Sequence, residues 1–217
     1  MLDEKENIAC EKEYVEDEVR DIKRQFRLFM NGVASNSMRE KGLDYKINWG
    51  IPLPRLRQMA AQHTPSVSLA EALWKSEVRE CRIMAMLLMP AEACDEDTAW
   101  RWARECANQE MAEMLAFNLL QRLPCAQRLA QRMLAEEGAP MVTLGAFHLV
   151  SRLLARRVVI DSALAEALAG KVVAALKAGD GVTRHAAQNC VVRCLDSGQA
   201  AFSQMRQRLK NDNLDIF

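Results

Sequence analysis

The chain has 217 residues, 50% of them hydrophobic, with 29 Lys and Arg balancing 29 Asp and Glu. That length and apolar fraction support a core without staples and exclude a disordered chain. No apolar run reaches the about 18 residues that a membrane span needs. Seven cysteines at irregular spacing and an acidic start fit free thiols in a reducing, cytoplasmic setting. The strong helix formers Ala, Leu, Arg, Glu, Met and Gln dominate, and no segment alternates like a strand, so the fold class is all-α.

In chain order, residues 1–13 are acidic and read as frayed. An amphipathic helix is predicted from Tyr14 to Ala34, with Tyr14, Val15, Val19, Ile22, Phe26, Phe29 and Met30 near helical spacing. Residues 35–52 read as a loop closed by Pro52 and Pro54, which start a helix over 53–62. Ser68 and Glu71 then have the spacing of a capping box for a helix over 69–75. Further helices are predicted at 78–89, 95–107, 109–122, 125–136, 140–156, 161–178, 182–195 and 198–210, with Asp161 as an N-cap. Pair starts near 53, 78, 109, 140 and 182 fall in the range of helical-repeat stacks. Segments such as AFHLVSRLLA at 146–155 are apolar on more than one side, as sandwiched helices require. The expected architecture for 14–217 is one domain, a curved α-solenoid of HEAT-like helix pairs, with a globular bundle as the alternative.

Phosphate loops, nucleophile elbows and HExxH zinc motifs are all missing, which removes most nucleotide-binding and hydrolase classes. Cys190 and Cys194 share a helix face, but two thiols beside His185 fall short of a metal's ligand set and read as buried small side chains. No metal or cofactor is expected. Trp100 and Trp102 face different ways on one helix, so one is expected to pack while the other is more exposed. Glu110 and Glu113 lie one turn apart near a helix start, where the dipole favours acids and where a cleft would give them chemistry. Residues 1–25 hold nine acids and five bases, so the remainder is weakly basic. Arg152, Arg156, Arg157, Lys171, Arg184, His185 and Arg193 come late in the chain and could form one track for phosphates; the competing reading is a solvated face.

The segment Tyr45-Lys-Ile-Asn-Trp-Gly-Ile-Pro-Leu-Pro-Arg-Leu-Arg-Gln-Met-Ala60 resembles a signature of the DNA alkylation repair family of HEAT-repeat proteins. The runs Leu69-Ala-Glu-Ala-Leu-Trp74, Val78-Arg-Glu80-Cys-Arg82 and Met84-Ala85 follow in the family's order and spacing. The resemblance implies a superhelix that holds DNA on a basic face. Its active members release cationic alkylated purines with a Trp, an Asp and a later Arg. Here the Trp position is Gln109, the Asp position is Glu113, and the Arg position near Thr143-Leu144 holds no Arg; His148 and Arg152 are nearest. Three functions follow as expectations. The first is a DNA-binding repeat protein, non-catalytic or of altered specificity. The second is an alkylpurine glycosylase working through Glu113, with Trp100 or Trp102 supplying the aromatic. The third is a protein-interaction scaffold. Duplex or structured DNA is the expected partner, and a monomer the expected state.

Overall fold

The computed structural model describes the backbone of residues 2–214 and the side chains of residues 11–214. Within them the chain is helical, apart from one isolated parallel bridge between Ile47 and Val78. The described helices are α1 (Leu2–Phe26), α2 (Gly32–Glu40), α3 (Leu53–Ala60), α4 (Val67–Trp74), α5 (Arg79–Leu88) and α6 (Glu96–Arg104). There follow α7 (Gln109–Asn118), α8 (Ala126–Ala135), α9 (Pro140–Ala155), α10 (Ser162–Ala178), α11 (Gly181–Asp196) and α12 (Ser203–Asn211). They gather into two compact units, Met1–Ala93 and Cys94–Phe217. None of the described helices is long and apolar enough to cross a membrane.

In the first unit α1 buries Ile22 and Phe26 and packs on α4. Its helix runs from Leu2, well before the Tyr14 start expected; the frayed start predicted for residues 1–13 falls mostly on side chains outside the described residues. It ends at Phe26 rather than Ala34. The second helix, α2, occupies part of the expected loop. It buries no residue, so an apolar pattern does not reveal it. Capping makes it instead: the Asn31 side chain accepts the Ala34 N–H at 3.0 Å. Helix α4 is capped by Ser66, not Ser68. Ser66 Oγ accepts the Leu69 N–H at 3.4 Å, while the Ser68 hydroxyl donates to Glu11 at 3.0 Å.

The family-like segment 45–51 is held by one buried carboxylate. Glu80 is fully buried on α5; its Oε2 accepts the Trp49 N–H at 3.1 Å and its Oε1 the Ile51 N–H at 3.2 Å. Arg79 donates to the same Oε1 at 3.0 Å and to the Ile51 carbonyl at 3.1 Å. A charge in the core needs such a set of partners. The anchored loop reaches back to α2, because the Asn31 N–H donates to the Trp49 carbonyl at 2.8 Å. Gly50 sits at φ +70, and a Cβ there would meet Asn31 O at 2.2 Å. Only glycine fits that approach.

The second unit is two layers of helices. Helices α7, α9 and α11 pack side by side in one layer, and α6, α8, α10 and α12 in the other. The tight neighbours across the layers are α8 with α9 and α10 with α11, so the pair boundaries fall at Ala126 and Ser162, one helix earlier than the starts expected at 140 and 182. Stacking each helix on the next but one is the HEAT-like arrangement. Helix α9 touches α6, α7, α8 and α11, and buries Val142, Leu144, Ala146, Phe147, Leu149, Val150 and Leu153. Burying a side chain such as Phe147 is worth roughly 1.5–3 kcal/mol. Small residues set the α7–α9 spacing: a Cβ on Gly145 would lie 3.8 Å from Ala112 Cβ and 3.0 Å from the flexible end of Met133. Asp161 caps α10 as predicted, accepting the Leu164 N–H at 2.7 Å.

Candidate functional site

An open cavity of about 480 Å³ lies on the α7–α9–α11 layer. Glu113 enters it from α7, His148, Ser151 and Arg152 from α9, and Asn189, Arg193 and Asp196 from α11. These polar residues fall three or four apart on otherwise well-buried helices, which puts each helix's set on one face. The layer order then brings three such stripes together.

The groups are electrostatically linked. Burial holds His148 below its ordinary value of 6.5, with the nearby Arg152 and His185 charges acting in the same direction and Glu113 opposing them. Its Nε2 is buried and, among the described residues, has no hydrogen-bond partner. The Arg152 guanidinium stacks over the Phe117 ring at 4.3 Å, which fixes a cation at the cavity wall. Two arginines, two carboxylates and a histidine make this a mixed-charge site rather than a uniformly basic one. On α11 itself, Cys190 and Cys194 are fully buried. The bond from Cys190 and burial both push the Cys194 thiol up, so it stays protonated. Among the described residues no three His, Cys, Asp or Glu side chains gather as a metal site.

Of the predicted site residues, Glu113, Arg152 and Arg193 meet at this cavity. Glu110 lies one turn before Glu113, in the first turn of α7, and is not part of the lining. His185 is exposed on α11, within electrostatic reach of His148. Arg156 donates to the Gln121 carbonyl beyond the end of α9, and Arg157 turns the chain there at φ 59. Arg184 folds back on the Gly179 carbonyl at 3.0 Å. Lys171 belongs to α10, in the other layer, and donates to the Glu136 carbonyl at 3.2 Å. Gln109 is exposed at the start of α7. Trp102 is fully buried, whereas Trp100 is half-buried with Arg132 over its ring at 4.7 Å; neither lines the cavity. Sequence reading missed Ser151, Asn189 and Asp196. The signal that finds them is the i, i+3, i+4 recurrence of polar side chains on buried helices.

A solved structure described as "a new family of proteins related to the HEAT-like repeat DNA glycosylases with affinity for branched DNA structures" is similar to this chain with a TM-score of 0.76. The match covers 89% of this chain and 82% of that one at 14% identity, a likeness of fold. No protein of curated function matches the chain. Residues 22–138, more than half of the sequence, match the DNA alkylation repair enzyme family. They include the Glu80-anchored loop, both layers' first helices and Glu113. The chain therefore belongs to the DNA alkylation repair enzyme family.

Proposed function

We propose that this protein binds DNA through the α7–α9–α11 face without excising bases, or with a specificity different from that of the family's glycosylases. The observation that supports this reading is the composition of the cavity. Arg152, held over Phe117, and the exposed Arg193 offer two cations to phosphates, yet no Trp, Tyr or Phe lines the space. A cationic alkylpurine finds no Trp, Tyr or Phe face there for a cation–π contact. Glu113 supplies a carboxylate suited to an oxocarbenium-like charge, and that observation alone favours the second reading, a working glycosylase. His148 and Asp196 complete a polar floor on which a backbone or sugar can be oriented.

The test uses duplex DNA carrying a cationic N-alkylated purine, with the bound fraction and the released base measured in one reaction. Binding without release supports the proposal. Release that disappears in Glu113→Gln, with binding retained, supports the glycosylase. No binding at low salt removes both and leaves a protein-interaction scaffold.

A further inference from the structure

The first unit carries a second surface that the cavity does not explain. Three large apolar side chains stand in water within six residues: Leu28 is 77% exposed, Met30 58% and Val33 82%. Leu28 and Met30 lie in the turn from α1 into α2 and Val33 in the first turn of α2, and the core of the unit is built from other residues, including Ile22 and Phe26 just upstream. A polar residue at each of the three positions would leave that core unchanged.

The turn is held rigidly. The Asn31 N–H is bonded to the Trp49 carbonyl, its side chain caps α2, and its carbonyl accepts the Ser35 N–H at 3.0 Å. The approach of Gly50 locks the same backbone from the other side. Arg55, from α3, stacks on Phe29 at 4.1 Å between the exposed Leu28 and Met30. The apolar group is thus pre-shaped rather than floppy.

Charge identifies its occupant. The chain is neutral overall, yet residues 22–57 hold eight Lys and Arg against Glu40 and Asp44, with Lys46 paired at the surface to Glu77 outside that stretch. Arg27 is exposed beside Leu28, and Arg24 is tied only at the surface, to Asp21 at 2.9 Å. Apolar side chains framed by cations fit a nucleic acid whose bases are unstacked: the cations hold phosphates and the wedge covers base faces. A protein interface core is instead depleted of charge. A membrane-surface helix needs a long exposed apolar face, whereas α1 buries Ile22 and Phe26 within the unit.

We infer that Leu28, Met30 and Val33 form an apolar wedge that contacts unpaired bases at a strand end or branch, with the basic 22–57 segment holding the adjoining phosphates. This rests on the proposed DNA binding and adds a second contact, specific for unpaired structure. Paired duplex engages the cavity face and bypasses the wedge.

The experiment compares a fully paired labelled duplex with the same duplex carrying a single-stranded flap, by fluorescence anisotropy at fixed salt. The wild-type protein is expected to prefer the flapped DNA. In Leu28→Ser/Met30→Ser/Val33→Ser that preference falls roughly tenfold, in line with the loss of one or two base contacts, while paired-duplex binding is unchanged. Arg27→Glu weakens binding to the flapped DNA and leaves paired-duplex binding unchanged. A 2-aminopurine at the flap junction brightens with wild type and stays quenched with the triple variant. Binding to paired duplex with no preference for the flap, or a preference that survives the triple variant, overturns the wedge and leaves the DNA reading standing. Failure to bind either DNA overturns both. A dimer in sedimentation that the triple variant dissociates assigns the patch to a second copy, and loss of binding to anionic vesicles assigns it to a lipid surface; either result overturns the inference.

Discussion

Glu80→Gln is the substitution whose consequence can be followed furthest. The carboxylate is fully buried and accepts three donors at 3.0–3.2 Å: the Ile51 N–H, the Trp49 N–H and the Arg79 guanidinium. Gln keeps the shape but replaces one accepting oxygen with an NH2 group. One backbone N–H then faces a donor, a loss of about 1–3 kcal/mol. Arg79, 3% exposed, also loses the Glu80 charge beside it in the core, and breaking a buried pair costs about 3–5 kcal/mol. The two effects share one group and do not simply add, so about 3–5 kcal/mol is expected in total. For a unit of this size that corresponds to a fall in melting temperature of at least about 12 °C, read by scanning calorimetry. Amide exchange at Trp49 or Ile51, whichever then faces the NH2 group, should accelerate first, because its acceptor is removed directly. A Glu80→Gln protein within about 1 kcal/mol of wild type, with those amides still protected, would refute the account of the loop.

Gly50→Ala places a Cβ 2.2 Å from Asn31 O at a positive φ, and should destabilise the first unit by at least about 2 kcal/mol in denaturant titration. Because it moves Asn31, it should also lower the preference for flapped DNA. Asp180→Ala removes the acceptor of the Val182 and Thr183 N–H groups at 2.9 and 3.0 Å, and should cost about 1 kcal/mol by the same titration. His148 is held below its ordinary 6.5 by burial, so the folded state binds fewer protons than the unfolded state between those values. Its contribution is complete above about pH 6.5 and is lost as pH falls through it; thermal melts from pH 7.5 down to about 5.5 should show His148→Gln losing less stability than wild type.

How far the sequence reveals this molecule depends on the length scale of each signal. The helices that bury an apolar face, from α3 to α11, are readable from periodicity and breakers, since each carries its own pattern. Helix α2 is not readable that way, because it buries nothing and exists through Asn31. Ser66 and Ser68 are both good caps in sequence; in the structure Ser66 caps α4 while the Ser68 hydroxyl turns outward to Glu11. The site is half legible. Glu113 follows from the family resemblance, and Arg152 and Arg193 from charge. Their meeting with Asn189 and Asp196 requires knowing that α9 packs beside both α7 and α11 while α10 belongs to the other layer. That order is a product of long-range packing, and the same fact takes Lys171 to a different layer from Arg152 and Arg193. The buried role of Glu80 likewise has no local signature, because its partners Trp49 and Ile51 lie about thirty residues away in the chain.

The central claim is that the α7–α9–α11 face holds DNA. It is tested most directly by measuring duplex affinity as salt is raised for three proteins: wild type, Arg152→Ala/Arg193→Ala, and Lys171→Ala/Arg184→Ala as a control of equal charge. The account predicts steep salt dependence for wild type and a log–log slope lower by about 2 for the cavity pair, with the control close to wild type. Equal losses for both pairs, or full binding by the cavity pair, would contradict it.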